Sequence, residues 1–408
     1  MAAASLVGLL LVLCALSDTS AQQGTVQTDP TAVSILARVQ SDDLLGASRI
    51  GGTSTVVAVG AHGAVVLYDG IGGTITTPQR STNLPLRALA FQPGTTRALV
   101  VGGGGSAWWL AANGSLQGIT SGTTMELYDV DWVSTNVAIV VGGVIPLDER
   151  PGEGLVLRFD AINGTFTQIP SPMVHNQLYR YAHSPTEDVG YAVGLDHTVL
   201  RIAEAHTQLV EHDRTTNPTE ILNGVAFRND GRPFFSGADG TVLTLDGQGR
   251  TTVVVTGTPN RLFDIVWDPT SNSGLVLADS GLILHYDGSV PNVRDVSFSV
   301  VGSHGDYSNL FTAAFGPNGA WALIVGAKGT MMRWPEQRTI APVSPYDNTV
   351  VYLIIGVVVT ALVGLVALRL MDTVRTPPPE GGMSEKRSGR SSRRAARRSG
   401  GGHGRKRP

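Results

Sequence analysis

The sequence predicts an all-β chain, a seven-bladed β-propeller, followed by one transmembrane α-helix and a disordered basic tail. Three observations predict it. One short apolar–glycine–apolar phrase recurs seven times, at a period of about 40–45 residues, the length of a four-stranded blade. Glycine supplies 50 of the 408 residues and charged residues only 15%, a balance that suits strands and tight turns and suits helices poorly. An uncharged run of nineteen residues, Val350–Leu368, lies near the C-terminus and matches the thickness of a bilayer core.

In chain order, the first element is an apolar run of twelve, Ser5–Leu16, followed by the small-residue site Thr19-Ser20-Ala21. The run is too short to span a membrane and is read as part of a signal peptide over 1–21, although no Lys or Arg precedes it. The single cysteine, Cys14, lies inside it. A mature ectodomain therefore has no disulfide and must be stabilised by a large core.

Residues 22–343 are read as the propeller. The repeated phrase aligns Gly60, Gly102, Gly142, Gly194, Gly237, Ala278 and Gly326 at intervals of 42, 40, 52, 43, 41 and 48. Each copy reads as two strands joined by a glycine turn. A preceding strand also repeats, as LRALAF (86–91), LYDVDW (127–132), LYRYAH (178–183), LNGVAF (222–227), LFDIVW (262–267) and LFTAAF (310–315). Thr/Val-rich segments such as 251–257 supply the fourth strand. A blade buries its faces only against its neighbours, so the unit must be repeated. Either 31–39 or 337–343 is available to close the ring. The phrase GADGTVLTLD (237–246), with aromatic-ended strands such as VDW (130–132), resembles the WD40 and YVTN-type propeller superfamily in repeat pattern, over roughly residues 32–343. That resemblance implies a ring of blades around a central channel.

On such a ring the innermost strands line the channel. Their third position holds Ala88, Asp129, Arg180, Gly224, Asp264 and Thr312, a varied and often charged set within an otherwise apolar repeat. Asp129, Arg180, Asp264 and Thr312 are the channel-lining binding candidates, against a structural salt-bridge ring as the alternative. The insertion 144–153 is unique to one blade and is expected to loop out. The segment 204–214 has no metal-ligand spacing and reads as a solvated outer strand. Gly102–Ser106 leads into the strand AWWL rather than a helix, so it is not a phosphate loop. No Gly-x-Ser-x-Gly, His-Glu-x-x-His or metal-spaced Cys/His set occurs, and no catalytic residue, metal or cofactor is assigned. Asn113 and Asn163 open Asn-x-Ser/Thr sequons in predicted turns and are candidate glycosylation sites.

A linker over 344–349 leads to the membrane run. Asp347 and Asn348 precede it and Arg369 and Arg375 follow, so the positive-inside rule orients the chain as a single-pass type I protein of the cell membrane, propeller outside. In a eukaryotic host the same topology fits the endoplasmic-reticulum membrane with a lumenal propeller. Gly356, Thr360 and Gly364 share one helix face and are candidates for helix pairing in a homodimer. The tail 369–408 carries twelve basic and three acidic residues, leaving 18 basic and 30 acidic in the body. Arg390, Arg393, Arg394, Arg397, Arg398, Arg405, Lys406 and Arg407 are candidates for contact with anionic lipid, or with RNA such as a ribosome surface. The function these features suggest is a membrane-anchored scaffold or receptor that binds a protein or glycan on the propeller face. The alternative is an exported hydrolase or lyase with a site in the channel.

Overall fold

The computed structural model describes residues 26–29, 32–38, 42–145, 152–170, 174–203, 206–210, 221–246, 248–286, 298–303 and 308–339, and, near the C-terminus, 360, 363, 364, 366–368 and 371. The chain forms two compact units, and Gly24–Ile340 is the larger. Within it the described residues form seven four-stranded antiparallel sheets, and in six of these the strands follow one another in chain order. The innermost strands are Leu44–Arg49, Leu86–Phe91, Glu126–Trp132, Leu178–His183, Leu222–Phe227, Leu262–Trp267 and Leu310–Phe315. Each contacts the next, and the seventh contacts the first, so the blades close a ring. The sequence pattern identified six of these strands. It missed Leu44–Arg49, whose LLGASR ends on arginine rather than an aromatic residue.

The core confirms the ring independently. Buried apolar side chains fall into seven clusters, each shared by two neighbouring blades. Leu44, Val56 and Val66 of blade one meet Trp321, Leu323 and Val325 of blade seven. The opposite face of blade one, Val57, Val59 and Val65, meets Leu89 and Val100 of blade two. Alternate residues of a strand point to opposite faces, and here both faces are buried. The second strands, such as Ala98–Gly102 and Ala322–Gly326, are accordingly buried at every position. Each inner strand also carries a fully buried leucine at one end: Leu44, Leu86, Leu127, Leu178, Leu222, Leu262 and Leu310. Such burial is worth about 1.5–3 kcal/mol per side chain.

The phrase glycine has a packing cause. A Cβ at Gly60, Gly102, Gly142, Gly194, Gly237 or Gly326 would collide with a backbone carbonyl at or just before the start of its own inner strand, those of Asp43, Pro85, Glu126, Gln177, Ile221 and Asn309. After that glycine most blades turn through two residues of positive φ, as in His62-Gly63, Asp239-Gly240 and Lys328-Gly329. This is the type I′ geometry whose twist matches paired strands. Blade three departs from the pattern. Its second and third strands, Val137–Val144 and Glu153–Asp160, continue to pair through Gly143–Gly154 and Val144–Glu153. The insertion thus begins on a hairpin three pairs longer than its counterparts.

Blade seven takes its outer strand from the start of the chain. Ser34–Arg38 pairs with Thr330–Trp334, so the segment 31–39 supplies the closure. The other candidate closing segment has a different partner, because Glu336–Thr339 pairs with Val26–Asp29 in a separate two-stranded sheet. The smaller unit comprises Met1–Gln23 and Ala341–Pro408. Its described residues, Thr360, Val363, Gly364, Val366, Ala367, Leu368 and Met371, are helical and exposed. Among the described residues no helix is long and apolar enough to cross a membrane. The signal segment 1–21, the linker 344–349, Gly356 and the tail arginines and lysine of 390–407 lie outside the described residues.

Candidate functional site

The innermost strands share one irregularity, and it builds the site. In all seven the register against the second strand slips at the same place: between Leu44 and Gly46, Leu86 and Ala88, Leu127 and Asp129, Leu178 and Arg180, Leu222 and Gly224, Leu262 and Asp264, and Leu310 and Thr312. A β-bulge leaves one residue unpaired and re-aims its neighbours. The unpaired residues are Leu45, Arg87, Tyr128, Tyr179, Asn223, Phe263 and Phe311. All seven line a single cavity of ≈ 270 Å³, together with Arg180 and Arg261. This mouth lies where the inner strands begin, on the face where the chain crosses from one blade to the next.

The mouth is built from two arginine–aromatic half-rings. The Arg87 guanidinium lies 4.4 Å above the ring of Tyr128, and Tyr128 meets Tyr179 edge to face at 5.4 Å. Across the opening, Arg261 lies 5.2 Å above Phe263, and Phe263 meets Phe311 edge to face at 5.2 Å. Arg87 donates from Nε and Nη2 to Glu126 Oε2, at 3.0 and 2.8 Å. Arg261 donates from Nη2 to Asn223 Oδ1 at 2.7 Å, and the Asn223 amide donates to the Leu262 carbonyl at 2.8 Å.

Below the mouth the channel narrows to the third positions. There the structure brings together Asp129, Arg180, Asp264 and Thr312, from blades three, four, six and seven. Arg180 reaches Asp129 Oδ1 at 3.4 Å and Asp264 Oδ2 at 3.5 Å, and Thr312 donates to Asp264 Oδ2 at 2.7 Å. The backbone amides of Tyr181 and Ile265 donate to Asp129 and Asp264 at 2.9 Å each. Small residues of the same tier make room. A Cβ on Gly224 would press on Ser236 and on the Asp264 backbone, and one on Gly46 would press on Arg87 and Ala88. Burial pushes the Asp129 carboxyl up to about 7, against the opposing pull of Arg180, and raises Asp264 as well. Burial would lower Arg180, but Asp264 and Asp129 outweigh it. The waist therefore holds two carboxylates on one cation, a salt-bridged tier across the channel with a raised carboxyl within it.

Beyond the waist a second cavity, ≈ 430 Å³, opens to the opposite face, where the first and second strands of each blade join. Small side chains such as Ala90, Ala182 and Ala226 form part of its wall. Asp131, Tyr181 and His183 are its titratable groups outside the waist. The backbone amides of His183 and Trp132 donate to Asp131, at 3.0 and 2.8 Å. Burial lifts Asp131 to about 6 and holds His183 below the usual imidazole range. The Tyr181 hydroxyl lies 3.4 Å from His183 Nδ1.

The remaining candidates lie elsewhere. Asn113 and Asn163 occupy exposed turns between the third and outer strands of blades two and three, where their side chains bond Ser115 and Asp160. Thr360 and Gly364 lie in the smaller unit. Among the described residues no group of His, Cys, Asp and Glu could hold a metal ion.

No family model matches the chain, and no curated protein matches it. Among solved structures it is similar to a streptogramin B lyase, at 12% identity and a TM-score of 0.58, covering 76% of this chain and 96% of that one. It is also similar to a catalytically inactive histidine-to-alanine variant of virginiamycin B lyase from Staphylococcus aureus with quinupristin, at 10% identity and a TM-score of 0.61, covering 76% and 98%. At such identities the likeness is one of fold, the seven-bladed propeller.

Proposed function

We propose that this chain is a membrane-anchored binding protein whose extracytoplasmic propeller holds a protein or glycan partner at the bulge-lined mouth. One observation carries the reading: seven separate strands bulge at the same position, and the cavity they form gathers four aromatic rings with the guanidinium groups of Arg87, Arg180 and Arg261. Rigid aromatic and arginine side chains around a depression are the usual anchors of recognition. The waist beneath is internally paired, as a structural floor would be. The long hairpin of blade three rises on this same face and offers a second contact region.

The anchor is the run 350–368. Its described side chains Val363, Val366 and Leu368 are more than half exposed on a helix, which suits a lipid environment better than water. In this reading the tail faces the cytoplasm, where its basic residues meet anionic lipid. Thr360 and Gly364, with Gly356, form the helix-pairing face, and Asn113 and Asn163 carry glycans where the host has the machinery.

Crosslinking pull-down from native membranes tests the proposal, using the full chain, a chain lacking residues 386–408, and the double variant Tyr128→Ala/Phe311→Ala. Partners kept without the tail and lost in the double variant would support it. Partners lost with the tail alone would place the working end in the cytoplasm.

A lyase reading is favoured by a different observation, the grouping of Asp131, Tyr181 and His183 in the second cavity, taken with the two lyases of the same fold. Incubating the purified chain with quinupristin decides it. Conversion by wild type and none by His183→Ala would establish the enzyme, whereas no conversion would remove this reading.

A further inference from the structure

We infer that the bulge-lined mouth is a carboxylate site, whose ligand carries the carboxylate on an apolar or aromatic body. The inference rests on the binding reading above and names the chemistry that the mouth selects. The two rim arginines are not equivalent. Arg87 already holds a carboxylate, that of Glu126, through two nitrogens. Arg261 spends Nη2 on a neutral amide oxygen, that of Asn223, and its Nε is buried with no hydrogen-bond partner. Among the described residues no carboxylate side chain pairs with Arg261. The third cation, Arg180, is already shared by Asp129 and Asp264. The mouth thus has one uncompensated guanidinium, fixed by stacking on Phe263.

The chemistry of that group selects the ligand. A guanidinium whose side-chain partner is a neutral amide oxygen keeps its charge uncompensated, and a neutral apolar ligand would leave it so. The planar fork of arginine matches the two oxygens of a carboxylate. A phosphate dianion would call for more compensating charge than one free cation. The walls set the remainder of the ligand: the rings of Tyr128, Tyr179, Phe263 and Phe311 favour an apolar or aromatic body. Burial raises the Tyr179 hydroxyl, and Arg261 and Arg87 on the two sides of the opening both oppose that rise. At ≈ 270 Å³ the cavity admits one small acid, or one acidic side chain with its flanking residue, and little more.

Calorimetric titration of the purified full chain with phenylacetate and with its neutral isostere phenylacetamide tests this. The acid is expected to bind roughly tenfold or more tighter than the amide, the margin of a charge-assisted hydrogen bond, and to weaken as salt is raised. Arg261→Gln should erase that preference, and Arg261→Lys should retain only part of it. A third titrant, a short peptide with one aspartate between two phenylalanines, separates the sources. Arg261-dependent binding tighter than that of phenylacetate assigns the carboxylate to an acidic peptide, and weaker binding assigns it to a free acid. Equal affinity for acid and amide, a preference that survives Arg261→Gln, or no binding of any titrant to solubility would each overturn the inference. The two levels of reading fail differently. Pull-down partners that persist in Tyr128→Ala/Phe311→Ala remove the binding mouth itself. Partners lost in that variant but retained in Arg261→Gln remove only the carboxylate.

Discussion

At the channel waist, two buried carboxylates share one guanidinium, and their charges do not cancel. Asp129 is the group to watch, because burial lifts it to about 7, with Asp131 nearby at about 6. A carboxyl whose folded pKa lies above its unfolded value holds its proton more tightly in the folded chain. Its contribution is complete below about pH 4 and is lost as the pH rises through about 6–7. The propeller is therefore expected to lose about 2–4 kcal/mol of unfolding free energy between about pH 4 and pH 8. Denaturant titrations followed by tryptophan fluorescence would read this, and Asp129→Asn should flatten the slope. A gain of stability over the same range would show a waist that is ionised and fully compensated. Removing the cation instead strands both carboxylates. Arg180→Met should cost about 3–5 kcal/mol at alkaline pH, and visibly less at pH 5, where protons can replace the lost charge. These residues could be singled out in the sequence because their position varies and is often charged inside an otherwise apolar repeat. Asp131 and His183 were not, since alternating strand residues give no sign of which end of a channel they reach.

The strand-level features divide the same way. The repeated glycine could be read as punctuation, but its cause is a carbonyl that no sequence shows. Gly326→Ala would drive a methyl into the Asn309 carbonyl and is expected to cost about 1–3 kcal/mol, whereas Gly51→Ala, with nothing within 4 Å of the new Cβ, should lie within about 0.5 kcal/mol of wild type. Thermal unfolding of the two variants makes the comparison, and equal losses would mean that the clash with the carbonyl does not explain the glycine. The bulges were invisible for a physical reason. A period of two assigns the second and third inner-strand positions to opposite faces. A bulge adds one residue without altering the pattern, so Tyr128 and Asp129 can both serve the channel. The aromatic–arginine mouth was hidden by that one-residue slip.

The larger unit is a ring whose seven cores are joined only through neighbours, so its stability depends on the seam. Ser34–Arg38 covers the edge of Thr330–Trp334, and deleting residues 26–38 would leave that strand open to other chains. Calorimetry of the deletion should show a Tm lower by roughly 10 °C, at about 2–4 °C for each kcal/mol lost, with aggregation on heating. An unchanged Tm would mean that six complete blades and a three-stranded seventh are sufficient. The seam also sets a clock. The closing strand is among the first parts of the propeller to be synthesised and the last to be used, because Thr330 follows Arg38 by 292 positions. At about 5–20 residues per second, roughly 15–60 s pass before its partner exists. For that interval Ser34–Arg38 is a loose end, free to meet the equivalent open edge of another copy of the chain. Exchange of this one strand between two chains, giving a linked pair of rings, is the assembly error that this architecture invites, and slower translation would make it more frequent.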